Sequence, residues 1–277
     1  MSAVPHHAGG RTRAGTSWAG LGGWALRAEW PVALALAILL VGLWQLVGTL
    51  GALPDYVLTP TQIVDAMVTN AGDLSSAAGA SLKLIAAGFF IGAGLGALLG
   101  LLAGVFTWAE DLVEPLVAAT YPLPKIALFP AFALWLGYTD TARIAVIAIG
   151  CFYPVFINAF ASTRAIDPQL LMVAANAGAG RLRAFAAVIV PAALPRVIVG
   201  LRIALALAFV LDFSVEALAS RQGLGTVIFL AFQGSDYGLM YAAIATFALL
   251  GGLADRLLVF AGRRAIRGQS LEMARGR

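Results

Sequence analysis

The sequence predicts an all-α integral membrane protein with about six transmembrane helices. Composition is the first reason: 61% of residues are hydrophobic and 12% charged, with a mean hydropathy of +0.90, whereas about a quarter of residues are charged in an ordinary soluble domain. The second is a set of six separate apolar runs, each near the ~20 residues needed to cross the hydrocarbon of a bilayer. The third is that the arginines flank these runs instead of forming a solvated face. The runs use up most of the 277 residues, so no separate soluble catalytic domain is expected. The net charge of +4 reads as topology, not as a nucleic-acid footprint.

Residues 1–30 are rich in Gly, Ser, Thr and Arg and read as a flexible cytosolic tail. No small-residue cleavage site closes the apolar run that follows, so that run is expected to be retained as a first span. The membrane domain covers 31–262, with spans at 32–50, 81–105, 113–136, 142–163, 185–211 and 238–261. Between the first two, GALPDYVLTPTQIVDAMVTNAGDLSSAAGA is too polar to cross, and Thr59–Pro60 has the form of a capped helix start. SRQGLGTVIFLAFQGSDY is a second non-spanning piece, between spans five and six. Residues 263–277 form a basic cytosolic tail.

Lys and Arg placement gives the orientation. Arg11, Arg13 and Arg27 precede span one; Arg164, Arg181 and Arg183 lie between spans four and five; Arg256, Arg263, Arg264, Arg267, Arg275 and Arg277 close the chain. An even number of spans puts all three groups, and both termini, on the cytoplasmic side of the membrane. Lys83, Arg143 and Arg221 remain for the other side. The loop TWAEDLVEP carries Glu110, Asp111 and Glu114 and no base, which matters little because acidic residues weigh little in this rule.

In span two, Gly88, Gly92, Gly96, Gly100 and Gly104 recur every four residues. They form a slowly drifting stripe that lets another helix approach closely, so they read as packing positions. Cys151 is the only cysteine, which excludes an intrachain disulfide and a cysteine metal cluster. His6 and His7 are adjacent and lack further ligands, so no metal or other cofactor is expected on this chain.

The loop RAIDPQLLMVAANAGAGRLR, centred on 167–180, is the most informative stretch. Asp167 then Pro168 is a helix-start signal, and Gly178 stands where a left-handed C-terminal residue is expected. A second helix restarts near Arg181. The short helix carries Leu170, Leu171, Met172 and Val173 on an aqueous loop, so it either docks on a partner or folds back on the chain's own spans; patterning does not choose.

This run resembles the cytoplasmic signature of binding-protein-dependent ABC importer permeases, written E-A-A, three residues, G, nine residues, I-x-L-P. Met172, Val173 and Ala174 stand at E-A-A, Gly178 at the glycine, and Val188, Val190 and Pro191 at I, L and P. The runs at 121–137, 152–171, 190–209 and 223–232 resemble the nitrate, sulfonate and taurine branch. The resemblance implies a type I importer transmembrane fold and a coupling helix docked on a separate ATPase. It also implies a second permease copy and an external solute-binding protein. Docking falls to Leu170, Leu171, Met172, Val173, Ala174, Ala175, Gly178, Arg181 and Pro191. ATP and Mg belong to the partner, because no G-x-x-x-x-G-K-[ST] loop is present here. Met172 replaces the motif glutamate, so any polar contact of that carboxylate is absent or supplied by another group.

Lys125, in span three, and Asp212 and Glu216, at the outer end of span five, are the ionisable candidates for the translocation path. Lys125 follows Pro122 and Pro124, where it attracts an anion, pairs with a carboxylate or binds carbonyls that the prolines free. The expected solute is a small anion such as nitrate, a sulfonate or taurine, with a pyrimidine or vitamin precursor as the alternative. A gradient-driven secondary transporter would call for mid-membrane ionisable clusters and an inverted repeat, and neither is evident.

Overall fold

The computed structural model describes residues 22–106, 108–219 and 221–275, with side chains described from 31 to 266 except Glu114. His6, His7, Arg11, Arg13 and Arg277 lie outside the described residues. Every regular element among those described is helical: α1 Gly22–Thr49, α2 Pro60–Thr69, α3 Ala71–Val105, α4 Trp108–Thr120, α5 Phe129–Leu136, α6 Asp140–Arg164, α7 Pro168–Asn176, α8 Arg181–Ala184, α9 Val190–Ala219, α10 Leu224–Gln233 and α11 Tyr237–Arg275. A 3₁₀ turn, Lys125–Leu128, precedes α5, and a π turn, Phe185–Ile189, joins α8 to α9.

Residues 1–60 and 61–277 separate into two compact units. In the first, α1 is long and apolar enough to span from Pro31 to Thr49, and the close approach of Gly48 to the Thr59 side chain ties the turn that follows it. α1 begins at Gly22, inside the segment read as a tail, because Ala25, Leu26, Arg27, Ala28 and Glu29 are all good helix formers.

The second unit is organised around α6. Ala142, Val146, Ile147, Cys151, Val155 and Ala159 on that helix have no exposed surface at all. α3 packs on it in parallel: Gly88 meets Ile147, Gly96 meets Phe152 and Val155, and Gly104 meets Phe160 and Thr163. α9 packs on it antiparallel, since Gly200 meets Pro154 and Asn158 while Gly150 meets Leu211. α11 runs antiparallel to α9, with Gly251 against Phe209 and Gly262 against Ile198. These senses are those of a chain that crosses once between α3 and α6, through α4 and α5, and not at all between α6 and α9 or between α9 and α11. Five helices are long and apolar enough to span, and six spans result if α4 and α5, bent 83° to each other, count as one. A second apolar cluster joins Leu74, Ala77 and Ala78 of α3 to Leu224 and Ile228 of α10 and Ala242 and Ala243 of α11.

Candidate functional site

At one end of the second unit, α7 stands clear of the bundle. Asp167 caps it, its side chain accepting from the Gln169 N–H at 2.8 Å, with Pro168 at the first helical position. Its C-terminus closes in a Schellman motif: the Ala179 N–H donates to Ala174 O and the Gly178 N–H to Ala175 O, each at 3.0 Å. Gly178 has φ +76°, a region costly for side chains with a Cβ. No residue of α7 is buried. Leu170 is 51% exposed, Met172 58% and Val173 66%, with Leu171 and, in the next helix, Leu182 also exposed. The helix therefore does not fold its apolar side chains back onto the spans.

Ala174 and Ala175 lie in the last turn of α7, and Arg181 opens α8 after the Gly180 turn. The π turn follows, with the Val190 N–H donating to Phe185 O, five residues back. Pro191 explains it: proline has no N–H for the carbonyl of Ala187, and its ring would collide with that carbonyl in a regular α-turn. Arg164, at the end of α6, pairs with Glu110 on α4 at this same end.

Lys125 sits in the break between α4 and α5, half-buried. Its Nζ donates to the Tyr121 carbonyl and lies 4.8 Å from the Tyr121 ring centroid and 5.0 Å from that of Tyr153. Of the three roles open to Lys125, the carbonyl contact is present, with two aromatic faces supporting the cation.

Asp212 and Glu216 are fully buried on α9, one turn apart. The Glu216 carboxylate accepts from Ser81 Oγ at 2.9 Å and from the Gly225 N–H at 2.8 Å. Ser81 Oγ in turn accepts from the Leu224 N–H at 2.9 Å, and Thr226 Oγ1 donates to Glu216 O at 2.9 Å. The free N–H groups at the start of α10 are thus satisfied by α3 and α9, a cap assembled from distant residues. Gly223, with φ +142°, lies directly against the Glu216 carboxylate, so a Cβ would overlap it. Both Asp212 carboxyl oxygens are buried without a hydrogen-bond partner. Sequence reasoning did not find Ser81, Gly223 or Gly225, because a serine in an apolar run and a G-L-G turn show a role only once α3, α9 and α10 are together.

Near this network, at the end of the bundle away from α7, a polar cleft of about 720 Å³ opens between α3, α6 and the loop before α10. Lys83, Asp140, Arg143, Arg221 and Gln222 line it. The five stripe glycines, by contrast, are buried along the length of α3 facing α6. Among the described residues no group of three or more His, Cys, Asp or Glu is placed to hold a metal ion.

The comparisons with known proteins agree with this architecture. The family described as "Binding-protein-dependent transport system inner membrane component" matches residues 92–267. A Bacillus subtilis permease protein named for aliphatic sulfonates transport is 33% identical over 244 residues, covering 87% of this chain and 88% of its own length. The riboflavin transport system permease protein of Chloroflexus aurantiacus is 33% identical over 246 residues, covering 84% and 91%. The taurine transport system permease protein of Escherichia coli is 26% identical over 240 residues, covering 84% and 87%. The chain belongs to the binding-protein-dependent transport system inner membrane components, as an ABC importer permease of the nitrate, sulfonate and taurine branch.

Proposed function

We propose that this permease subunit carries a small anion of the nitrate, sulfonate or taurine class into the cell, delivered by an external binding protein and driven by ATP hydrolysed on a separate subunit. The observation that carries the reading is the exposed α7, a doubly capped helix whose Leu170, Met172 and Val173 side chains are each more than half exposed among the described residues. An exposed apolar patch of this kind asks for a partner. In this reading α7 and both termini face the cytoplasm, and Leu170, Leu171, Met172, Val173, Ala174 and Ala175 seat in a groove of the ATPase. Gly178, Arg181 and Pro191 connect that lever to α9.

A second copy of the chain completes the path. The Arg202–Asp255 pair, joined by two hydrogen bonds at 2.8 and 2.9 Å, lies within α9 and α11 yet is largely exposed in the single chain. Charged groups in spans face protein or water far more often than lipid, which supports cover by a second protomer. Of the three path candidates, Lys125 is favoured because it alone keeps exposed surface; Glu216 and Asp212 are enclosed. The names of the sulfonate and taurine relatives support an anion, and that of the riboflavin relative supports the alternative of a vitamin-like solute.

Reconstitution with its ATPase and binding protein tests the reading. Uptake of a radiolabelled sulfonate should stop with a hydrolysis-dead ATPase and persist when the proton gradient is dissipated. The reverse pattern would establish a gradient-driven carrier instead.

A further inference from the structure

We infer that the polar cleft lined by Lys83, Arg143 and Arg221 is a binding site for a small anion, the first point at which this chain takes hold of its solute. The residues come from three places: Lys83 from α3, Arg143 from the first turn of α6, and Arg221 from the segment before α10. Among the described residues, folding brings three cations and one carboxylate, Asp140, to the lining of one concavity, with Asp212 and Glu216 enclosed behind Arg143 and acting on it. Asp140 is already engaged by Arg143 Nη2. Arg221 donates to the Tyr138 carbonyl, and it shares the charge of Asp140 with Arg143 and Lys83, three cations to one carboxylate. Lys83 has no hydrogen bond or ion pair among the described residues.

Arg143 is the strongest sign of a built site. It is only 4% exposed, its Nη1 reaches the Gln222 carbonyl at 3.3 Å, and its Nε has no partner. That Nε is itself enclosed; the guanidinium, held at the cleft wall, matches the oxygen pairs of sulfonates and carboxylates. A volume of about 720 Å³ suits a small molecule, and a concave site of this size favours one over the flat face of a protein.

The position fits reception of solute. From Lys83 to Gly104, which abuts Thr163 near α7, the 21 residues of α3 rise about 31 Å, the thickness of the hydrocarbon core. The cleft and the docking helix therefore lie on opposite faces of the membrane. As a receiving site the cleft rests on the importer reading above; as an anion site it rests on its own residues.

The test uses the single-cysteine background. Cys151 has no exposed surface, and a Cβ at Gly79, which lines the cleft, meets nothing within 4 Å. Gly79→Cys in the full chain in proteoliposomes is reacted with two membrane-impermeant methanethiosulfonates, one bearing a sulfonate and one a trimethylammonium group. After correction for reactivity with a free thiol, the anionic reagent should react faster by on the order of tenfold. Lys83→Gln with Arg221→Gln should abolish that preference, and methanesulfonate should protect the thiol saturably. Arg143→Lys should weaken protection while leaving the charge preference. Continued silence of Cys151 reports that each variant is folded.

A charge preference unchanged in the double variant, or no saturable protection, overturns the proposal. So does reaction only from the face that α7 occupies. If the double variant loses only its capture of the binding protein, with reagent preference and protection intact, the cations dock a protein and the small-anion assignment is wrong. No readout here needs the ATPase, so failure with ATP-driven uptake intact removes this inference alone. Protection by anions alongside uptake of neutral solutes only would instead remove the anion from the proposed function.

Discussion

Gly92→Ala and Gly94→Ala place the same methyl group two residues apart on α3 and should act in opposite directions. A Cβ at Gly92 would stand 2.8 Å from the Ala148 carbonyl carbon and 2.9 Å from its Cα, and nearer still to its oxygen. These are backbone atoms of α6, so no rotamer change relieves them. Carbon atoms settle at about 3.5–4.0 Å, so the two helices must part by roughly 1 Å, forfeiting dispersion contacts along the stripe. Overpacking of this kind costs about 1–3 kcal/mol. At roughly 2–4 °C per kcal/mol for a chain of this size, the thermal midpoint should fall by about 2–12 °C. At Gly94 a Cβ meets nothing within 4 Å, and alanine gains about 0.5–1 kcal/mol over glycine in a helix. Its midpoint should hold or rise. Cys151 is the sole, fully buried thiol, so a fluorogenic maleimide reports opening of the α3–α6–α9 core as temperature is raised. If Gly92→Ala melted with Gly94→Ala, close backbone approach would not be what holds α3 to α6.

Gly178→Val should lose ATPase co-purification and uptake; because a Cβ there meets nothing within 4 Å, the cause is backbone strain of about 1–2 kcal/mol, and Gly178→Asn should recover much of both. Glu216→Ala strips the Gly225 N–H of its acceptor, a cost of about 1–3 kcal/mol, visible as a lower midpoint and as faster hydrogen exchange at the start of α10. Asp212→Leu removes a buried carboxyl that has no partner and should raise the midpoint in the same thiol assay; a fall would show that the carboxyl is satisfied in the assembled transporter.

Features encoded in short stretches of sequence are legible there. The spans follow from apolar run length, α7 from Asp167, Pro168 and Gly178, and α10 from a run too short to cross. The glycine stripe announces that a helix comes close but not which one, since α6 lies across a span reversal from α3. Pro122 and Pro124 point to a kink; the 83° bend depends on how α5 seats on α6 through Phe129 and Ala133. Ser81 and Glu216 are 135 residues apart, beyond any local signal. Lys83, Arg143 and Arg221 read as topology markers because their convergence is a property of the fold alone. The π turn is hidden because its cause, Pro191, also belongs to the cytoplasmic motif and is accounted for by it.

That π turn fixes an angle. Each residue of an α-helix advances about 100°, and the wider turn at Phe185–Ile189 takes in one residue more than a regular helix would. Drawn back to α geometry with the same residues, everything beyond Ile189 would be rotated by that amount relative to α8. Glu216 would leave Ser81, and Arg202 would leave Asp255. The widened turn is thus a phase adjuster between the lever and the span: with one residue fewer in 185–189 a regular turn would hold α7 and α9 in their present phase, whereas a residue added there would re-aim α7 while leaving every contact between α3, α6 and α9 in place.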